Sequence, residues 1–309
     1  MRNKMSHNTL PFTSLLLVLG VAIIWGFNFI VVSISLEEIP PLTLCAIRFL
    51  LASIPGVFFL PKPKISWKLL VGYAITTLAL PFAGTFLGMY AGVPSGTAAL
   101  IIQLQVFFAI FFAVIFAKQS ANMWQIGGAL IAFSGIIVIA LHRDNSVSGL
   151  GIMIILLAGI TWAVGNLISS HIKNINILSL VSWGSLIAFF PIFGLALLFE
   201  HPLTVMTHPQ QLSYHTLLGV AYITYASTHF GYGSWAWLLN KYPIASIAPF
   251  SLLAPIVALL GAAFILQEPF ELWKMTAAFL VLSGLALNVF GQKLLYWLAS
   301  YKRPFAEEL

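Results

Sequence analysis

Trp25 and Asn28 stand three residues apart, and Trp162 and Asn166 four apart, so each indole shares a helix face with an amide. Such a pair can stack on a small polar solute and hydrogen-bond it, or else pack, the ring filling space while the amide bonds a neighbouring helix. Arg48 comes seven residues after Pro41, about 10 Å along a helix. A guanidinium there either attracts a carboxylate or snorkels to the surface and caps helix carbonyls. Gln103 and Gln105, two apart, point to opposite sides of a helix. Gln103 shares its face with Phe107 and is expected to turn toward a pathway, leaving Gln105 to bond a neighbour. Tyr222, Tyr225, His229 and Tyr232, spaced 3, 4 and 3, make a polar–aromatic stripe. His229 falls near the middle of its apolar run, and imidazole is the side chain most easily switched near neutral pH. The plainer expectation is a neutral ring bonded to a tyrosine hydroxyl or a carbonyl.

The elements that must position these groups are set by an apolar composition. Of 309 residues, 60% are hydrophobic and 7% charged, and the mean hydropathy is +1.00. Soluble domains carry about a quarter charged residues, so a soluble enzyme, a nucleic-acid-binding module and a disordered chain are excluded. The single cysteine, Cys45, excludes an internal disulfide framework. A spanning helix needs about 20 apolar residues, which divides the chain into ten segments: 13–35, 41–60, 67–89, 95–117, 123–141, 149–170, 178–199, 214–238, 243–266 and 272–294. They are too long and too uniformly apolar for barrel strands. The expectation is therefore an all-α polytopic membrane protein with ten transmembrane helices. The first run lacks a cleavage site and reads as a retained helix. The longest polar connection is 200–213.

Basic residues orient the chain. With the N-terminus inside, eleven of the 14 Lys and Arg fall on the cytoplasmic side, while only Arg143 and Lys274 fall on the other. Both termini are then expected in the cytoplasm.

The chain also resembles itself. Lys118-Gln119, Trp124 and Ser134-Gly135 recur 149 residues later as Gln267-Glu268, Trp273 and Ser283-Gly284. The expected units are 1–142 and 149–309, the second ending in a cytoplasmic tail. Five helices per unit is an odd number, so the second copy must be inverted relative to the first. Inverted repeats characterise many secondary transporters, with a substrate site near the midplane where the repeats meet. Pro81, Pro249, Pro255, Gly231 and Gly233 interrupt helices at membrane depth, where breaks expose backbone groups or act as hinges.

The run "WGFNFIVVSISLEEIPPLTLCAIRFLLA" (25–52) resembles the start of the EamA branch of the drug/metabolite transporter superfamily. "QLQVFFAIF" (103–111), "WAVGN" (162–166) and "APFSLLAPIVALLGAAFILQE" (248–268) are most similar to its O-acetylserine/cysteine exporter group. The resemblance implies two inverted five-helix repeats and export of small amino-acid-type metabolites across a bacterial inner membrane by alternating access. Ser251, inside the last motif, joins the candidate substrate-binding residues Trp25, Asn28, Arg48, Gln103, Phe107, Trp162, Asn166, Tyr225 and His229. One departure stands out: the acidic residue that often closes the fourth helix is replaced by Ala117-Lys118-Gln119, while Glu268 keeps it in the second copy.

All eight acids fall in loops or at helix ends, so the membrane interior offers a cationic drug no counter-charge. Neutral, zwitterionic or anionic cargo is favoured. Cysteine and O-acetylserine lead; aromatic amino acids, a siderophore or another small polar metabolite are the alternatives. No cofactor, metal or nucleic acid is expected. An intramembrane enzyme would need paired carboxylates or an H-E-x-x-H pair, and neither is present.

Overall fold

The computed structural model describes residues 10–302 apart from 55, 119, 143–146, 173–174, 243 and 270. Among the described residues all regular structure is helical. The principal helices are α1 (Phe12–Ser35), α2 (Pro41–Ser53), α3 (Trp67–Tyr90), α4 (Ser95–Phe116), α5 (Met123–Leu141), α6 (Gly149–Ser169), α7 (Ile177–Phe199), α8 (214–241), α9 (Ala248–Ile265) and α10 (Leu272–Lys302). Nine spans among the described residues are long and apolar enough to cross a membrane. The stretch outside that set is α8, which is helical throughout but carries the Tyr, Thr, Ser and His stripe.

Boundaries follow local chemistry. Proline opens α2, where its missing N–H costs nothing. The hydroxyls or amides of Ser66, Asn122, Ser148, Asn176 and Ser213 cap α3, α5, α6, α7 and α8. The second span, Pro41–Phe59, matches its apolar run but is broken inside it. Ile54 precedes a proline and turns extended, at φ −98° and ψ 133°. The chain restarts as a short helix, Gly56–Phe59. Segment 200–213 also holds a short helix, Pro202–Thr207, and a 3-10 turn. The expected C-terminal tail begins beyond Lys302, outside the described residues, and Gln119 and Arg143 also lie outside them.

Helix packing is symmetric under exchange of the halves. The pairs α2–α7 and α5–α10 map onto themselves, α3–α6 maps onto α8–α1, and α1–α9 maps onto α6–α4. The α5–α10 crossing is close because Gly128 and Gly284 each face the other's carbonyl oxygen, where any side chain would collide. Outward-facing Leu16, Phe111, Phe116, Leu130, Leu157 and Leu198 leave an apolar surface suited to lipid.

The irregularities repeat as well. A π-helical segment interrupts α3 at Ala74–Ala79 and α8 at Tyr222–Phe230. The first ends beside Pro81, which has no N–H to donate, and the second beside Gly231. In α4 the helix tightens into a turn at Gln103-Leu104, and α9 opens with a 3-10 segment, Ala248–Leu252. Lys118 and Gln267, just past the ends of α4 and α9, are both left-handed, at φ 51° and 56°.

Candidate functional site

Arg48 is the centre of the arrangement. It projects from α2, is 1% exposed, and is the largest fully buried side chain. Its Nε and Nη2 donate to Thr228 Oγ1 on α8, at 3.2 and 2.9 Å. Thr228 in turn donates to the carbonyl of Ile223, five residues back, at 2.8 Å. That reach matches the wider turn of a π-helix. The guanidinium carbon lies 4.0 Å from the ring centre of Phe82 and 6.0 Å from that of Phe86, both on α3. Cation–π attraction over a phenyl face offsets part of the cost of burying the charge. Nη1 has no hydrogen-bond partner. Among the described residues the one acid–base pair within ion-pair distance is Lys274–Glu271, so Arg48 has no counter-charge.

Two tryptophans join the cluster at one remove from the cation. Trp162 on α6 packs tilted against Phe82, with ring centres 6.1 Å apart. Trp25 on α1 donates its indole N–H to the Ser227 carbonyl at 3.1 Å, next to Thr228 in the same π segment. Its ring meets Tyr232 and Trp235 at 5.7 and 5.1 Å. Gly231 permits that approach, since a Cβ there would stand 2.5 Å from the indole nitrogen. Tyr222 ties α8 to α1 again, donating to the Ile24 carbonyl at 2.9 Å. Five helices, three from the first half and two from the second, thus converge on one polar–aromatic cluster.

The other candidates sit around or apart from it. Asn28, 8% exposed, lies one turn from Trp25 and its Oδ1 lacks a partner. Asn166 donates to Gln105 Oε1 at 2.7 Å, joining α6 to α4. Gln103 marks the α4 turn, and Phe107 packs on Phe133 of α5 at 6.5 Å. Ser251 donates to the Ala248 carbonyl within its own 3-10 turn. The rings of Tyr225 and His229 stack at 6.0 Å; Tyr225 is exposed, and His229 Nε2 is buried without a partner. Sequence reasoning did not single out Thr228, Phe82, Phe86 or Ser227. Phe82 is one of 25 phenylalanines, and Ser227 contributes only a backbone oxygen. The helix-spacing rule applied to the charged Arg48 cannot reach across to another helix. The signal for Thr228 was its place in the least apolar span.

The ends of the bundle carry a second set of contacts. At the end holding the starts of α2, α4 and α8, carboxylates bridge the halves. Glu200, after α7, accepts from Leu42 N at 2.9 Å, Thr43 N at 2.7 Å and Thr43 Oγ1 at 2.8 Å. Glu268, after α9, accepts from Ser95 N and Oγ at 2.9 and 2.8 Å. Glu38 accepts from Ser213 N at 2.8 Å, and the Ser213 hydrogen bonds hold its carboxyl below the usual range. Beside Glu200 lies a recess of about 610 Å³ lined by Pro41, Tyr90, Phe199 and His201. At the opposite end the links are neutral: Ser179 Oγ donates to the Pro61 carbonyl at 2.5 Å and Trp183 Nε1 to the Leu60 carbonyl at 3.1 Å. Lys62 and Lys241 lie over Trp67 and Trp237 there, at 3.9 and 4.8 Å.

A family model described as the EamA-like transporter family matches this chain twice, over residues 12–141 and 149–290. A protein of Escherichia coli (strain K12) named "Probable amino-acid metabolite efflux pump" is 35% identical over 281 residues, covering 89% of this chain and 94% of that protein. A protein of Salmonella typhimurium with the same name is 34% identical over the same shares. "Uncharacterized transporter YoaV" of Bacillus subtilis is 21% identical, covering 88% of this chain and 95% of its own. A solved crystal structure shares the fold with a TM-score of 0.63 at 16% identity, covering 92% of this chain and 98% of that one.

Proposed function

The chain belongs to the EamA-like transporter family, and from that premise we propose that it exports small amino-acid-type metabolites of the cysteine and O-acetylserine kind by alternating access. It is a multi-pass membrane transporter and not an enzyme. In this reading all ten helices cross the bacterial inner membrane with both termini in the cytoplasm, and the halves are inverted repeats. The symmetric packing and the paired π segments support that arrangement. The carrying observation is the convergence of α1, α2, α3, α6 and α8 on one cluster, in which a buried guanidinium meets Phe82 and Thr228, Trp162 packs on Phe82, and Trp25 bonds the neighbouring Ser227. Such a cluster combines a charge for a polar head with ring faces for a short side chain, at a junction both halves control. Asn28 with its unpaired oxygen extends the wall, and the Asn166–Gln105 pair bridges α6 and α4 beside the α4 turn. Gln103, Phe107, Tyr225, His229 and Ser251 complete the proposed path. Relatives named as efflux pumps for amino-acid metabolites support the cargo class.

The test is counterflow of labelled L-cysteine and O-acetyl-L-serine in liposomes holding the purified chain. Wild type should exchange both. Trp25→Ala and Trp162→Ala should each slow exchange by about tenfold or more, the weight of one truncated aromatic anchor, with normal membrane insertion. Equal rates in wild type and both variants would return the cluster to a packing role. The density of rings also favours a second cargo, aromatic amino acids, which the same assay reads as competitors.

A further inference from the structure

We propose that Arg48 is a carboxylate seat braced by Thr228: cargo carboxylate takes the Nη1 and Nη2 hydrogens at the far end of the guanidinium, while the Thr228 hydroxyl holds its Nε edge. This rests on the transport reading above and specifies its cargo as carboxylate-bearing. Three observations carry it. A guanidinium 1% exposed among apolar helices has no acid partner among the described residues. Burying such a charge costs several kcal/mol, which the Thr228 bonds and the phenyl faces offset only in part, and a docking anion would offset more. Nη1 is fully buried and makes no hydrogen bond, and Nη2 spends one of its two hydrogens on Thr228, leaving the end-on fork open. The Nε edge rests on the Thr228 hydroxyl, which fixes the plane of the guanidinium.

Thr228 gives the seat a consequence. One hydroxyl oxygen accepts two Arg48 donors while its hydrogen goes to the Ile223 carbonyl, so guanidinium and π segment are tied through a single atom. A carboxylate on the end-on fork draws the guanidinium toward itself and pulls on that tie. Ser227, the preceding residue, is bonded by Trp25, so the change is felt at the contact between α8 and α1. Occupancy would thus be read by the irregular segment of α8, the element best suited to change its winding. The cargo's ammonium plays no part in this seat, so recognition turns on the acid group.

The probes are L-serine, L-serinamide and ethanolamine, which share a small polar body and differ in the acid group. Thermal stabilisation of the detergent-solubilised full chain reads binding, and competition with labelled O-acetyl-L-serine in liposome counterflow reads transport. L-serine should stabilise and compete; the amide and the amine should do neither. R48Q should abolish the response to L-serine, and R48K, which keeps the charge and loses the fork, should raise its half-saturating concentration by about tenfold. T228V and T228S separate a seat from a scaffold. With no hydroxyl to brace the guanidinium, T228V should bind L-serine about tenfold more weakly, the weight of one hydrogen bond to a charged group, and T228S should restore the affinity. Equal competition by serinamide and L-serine, or unchanged binding in T228V, would overturn the seat while leaving transport intact. Carboxylate-specific stabilisation without any counterflow would overturn the transport reading while leaving the seat. No stabilisation by L-serine overturns the seat.

Discussion

The two ends of the α2–α7 pair are held by different chemistry. At one end Glu200 accepts three hydrogen bonds from Leu42 and Thr43 at the start of α2. At the other, Ser179 and Trp183 each donate one bond to a backbone carbonyl. Charge-assisted bonds are about twice as strong as neutral ones, and a carboxylate at a helix N-terminus also meets the positive end of the macrodipole. Glu268 on α4 and Glu38 on α8 repeat the device at the same end. Lysines crowd the opposite one. The packing pairs exchange between the halves, so the two ends are built from matching helix pairs. That does not make them equal in energy. In the state described here the acidic end is latched across the halves, and the neutral end is the easier one to part.

The largest effect should come from Glu200→Ala. Losing its three bonds leaves buried N–H groups unpaired and should cost the latched state about 2–3 kcal/mol. Cys45, wholly buried two residues beyond Thr43, is a native reporter of that end. Its alkylation by maleimide in sealed vesicles should accelerate by about 30- to 100-fold in the variant. An unchanged rate would show that the latch is ornamental. Glu268→Ala removes two bonds and should open its side less, by about tenfold. A cysteine placed at buried Val93 in a Cys45→Ser chain would read it. At the neutral end Ser179→Ala should lower the melting temperature by less than Glu200→Ala does, since one neutral bond contributes about 1 kcal/mol. An equal or larger loss would erase the contrast between the ends.

The smallest effect concerns pH. Ser213 holds the Glu38 carboxyl below its ordinary range, so the contact is complete above that range and is lost only as pH falls through the lowered value. Hydrogen exchange at the Ser213 amide, corrected for intrinsic rate, should therefore stay flat from about pH 8 to about pH 5. Deprotection within that window would mean that the carboxyl is not held as described.

How much of this was legible in the sequence differs by element. Apolar length alone located the spans, because hydrocarbon admits few alternatives to a helix. Pro81 and Gly231 were legible as interruptions, yet a π segment beside each was not, since AITTLA and YITYASTHF carry no composition that demands a wider turn. The turn at Gln103-Leu104 has neither proline nor glycine to announce it. Arg48 stood out as the charge set deepest in a span, whereas its partners could not, because a threonine and two phenylalanines are ordinary residues until three helices meet. Glu200 and Glu268 read as loop acids. Their role is tertiary: each caps a helix more than 150 residues away in sequence.

The central claim is that the ends open in alternation about the Arg48 cluster, with the acidic end closed in this state. Spin labels at Glu37 and Gln210 report the acidic end, and labels at Lys68 and Lys241 the other, each pair joining the two halves in a Cys45→Ser chain. Pulsed electron–electron distance measurements with and without saturating L-serine test the claim most directly. The account predicts that ligand adds a population with a longer acidic-end distance and a shorter distance at the lysine end. Both distances lengthening together, or neither changing when L-serine is bound, would contradict it.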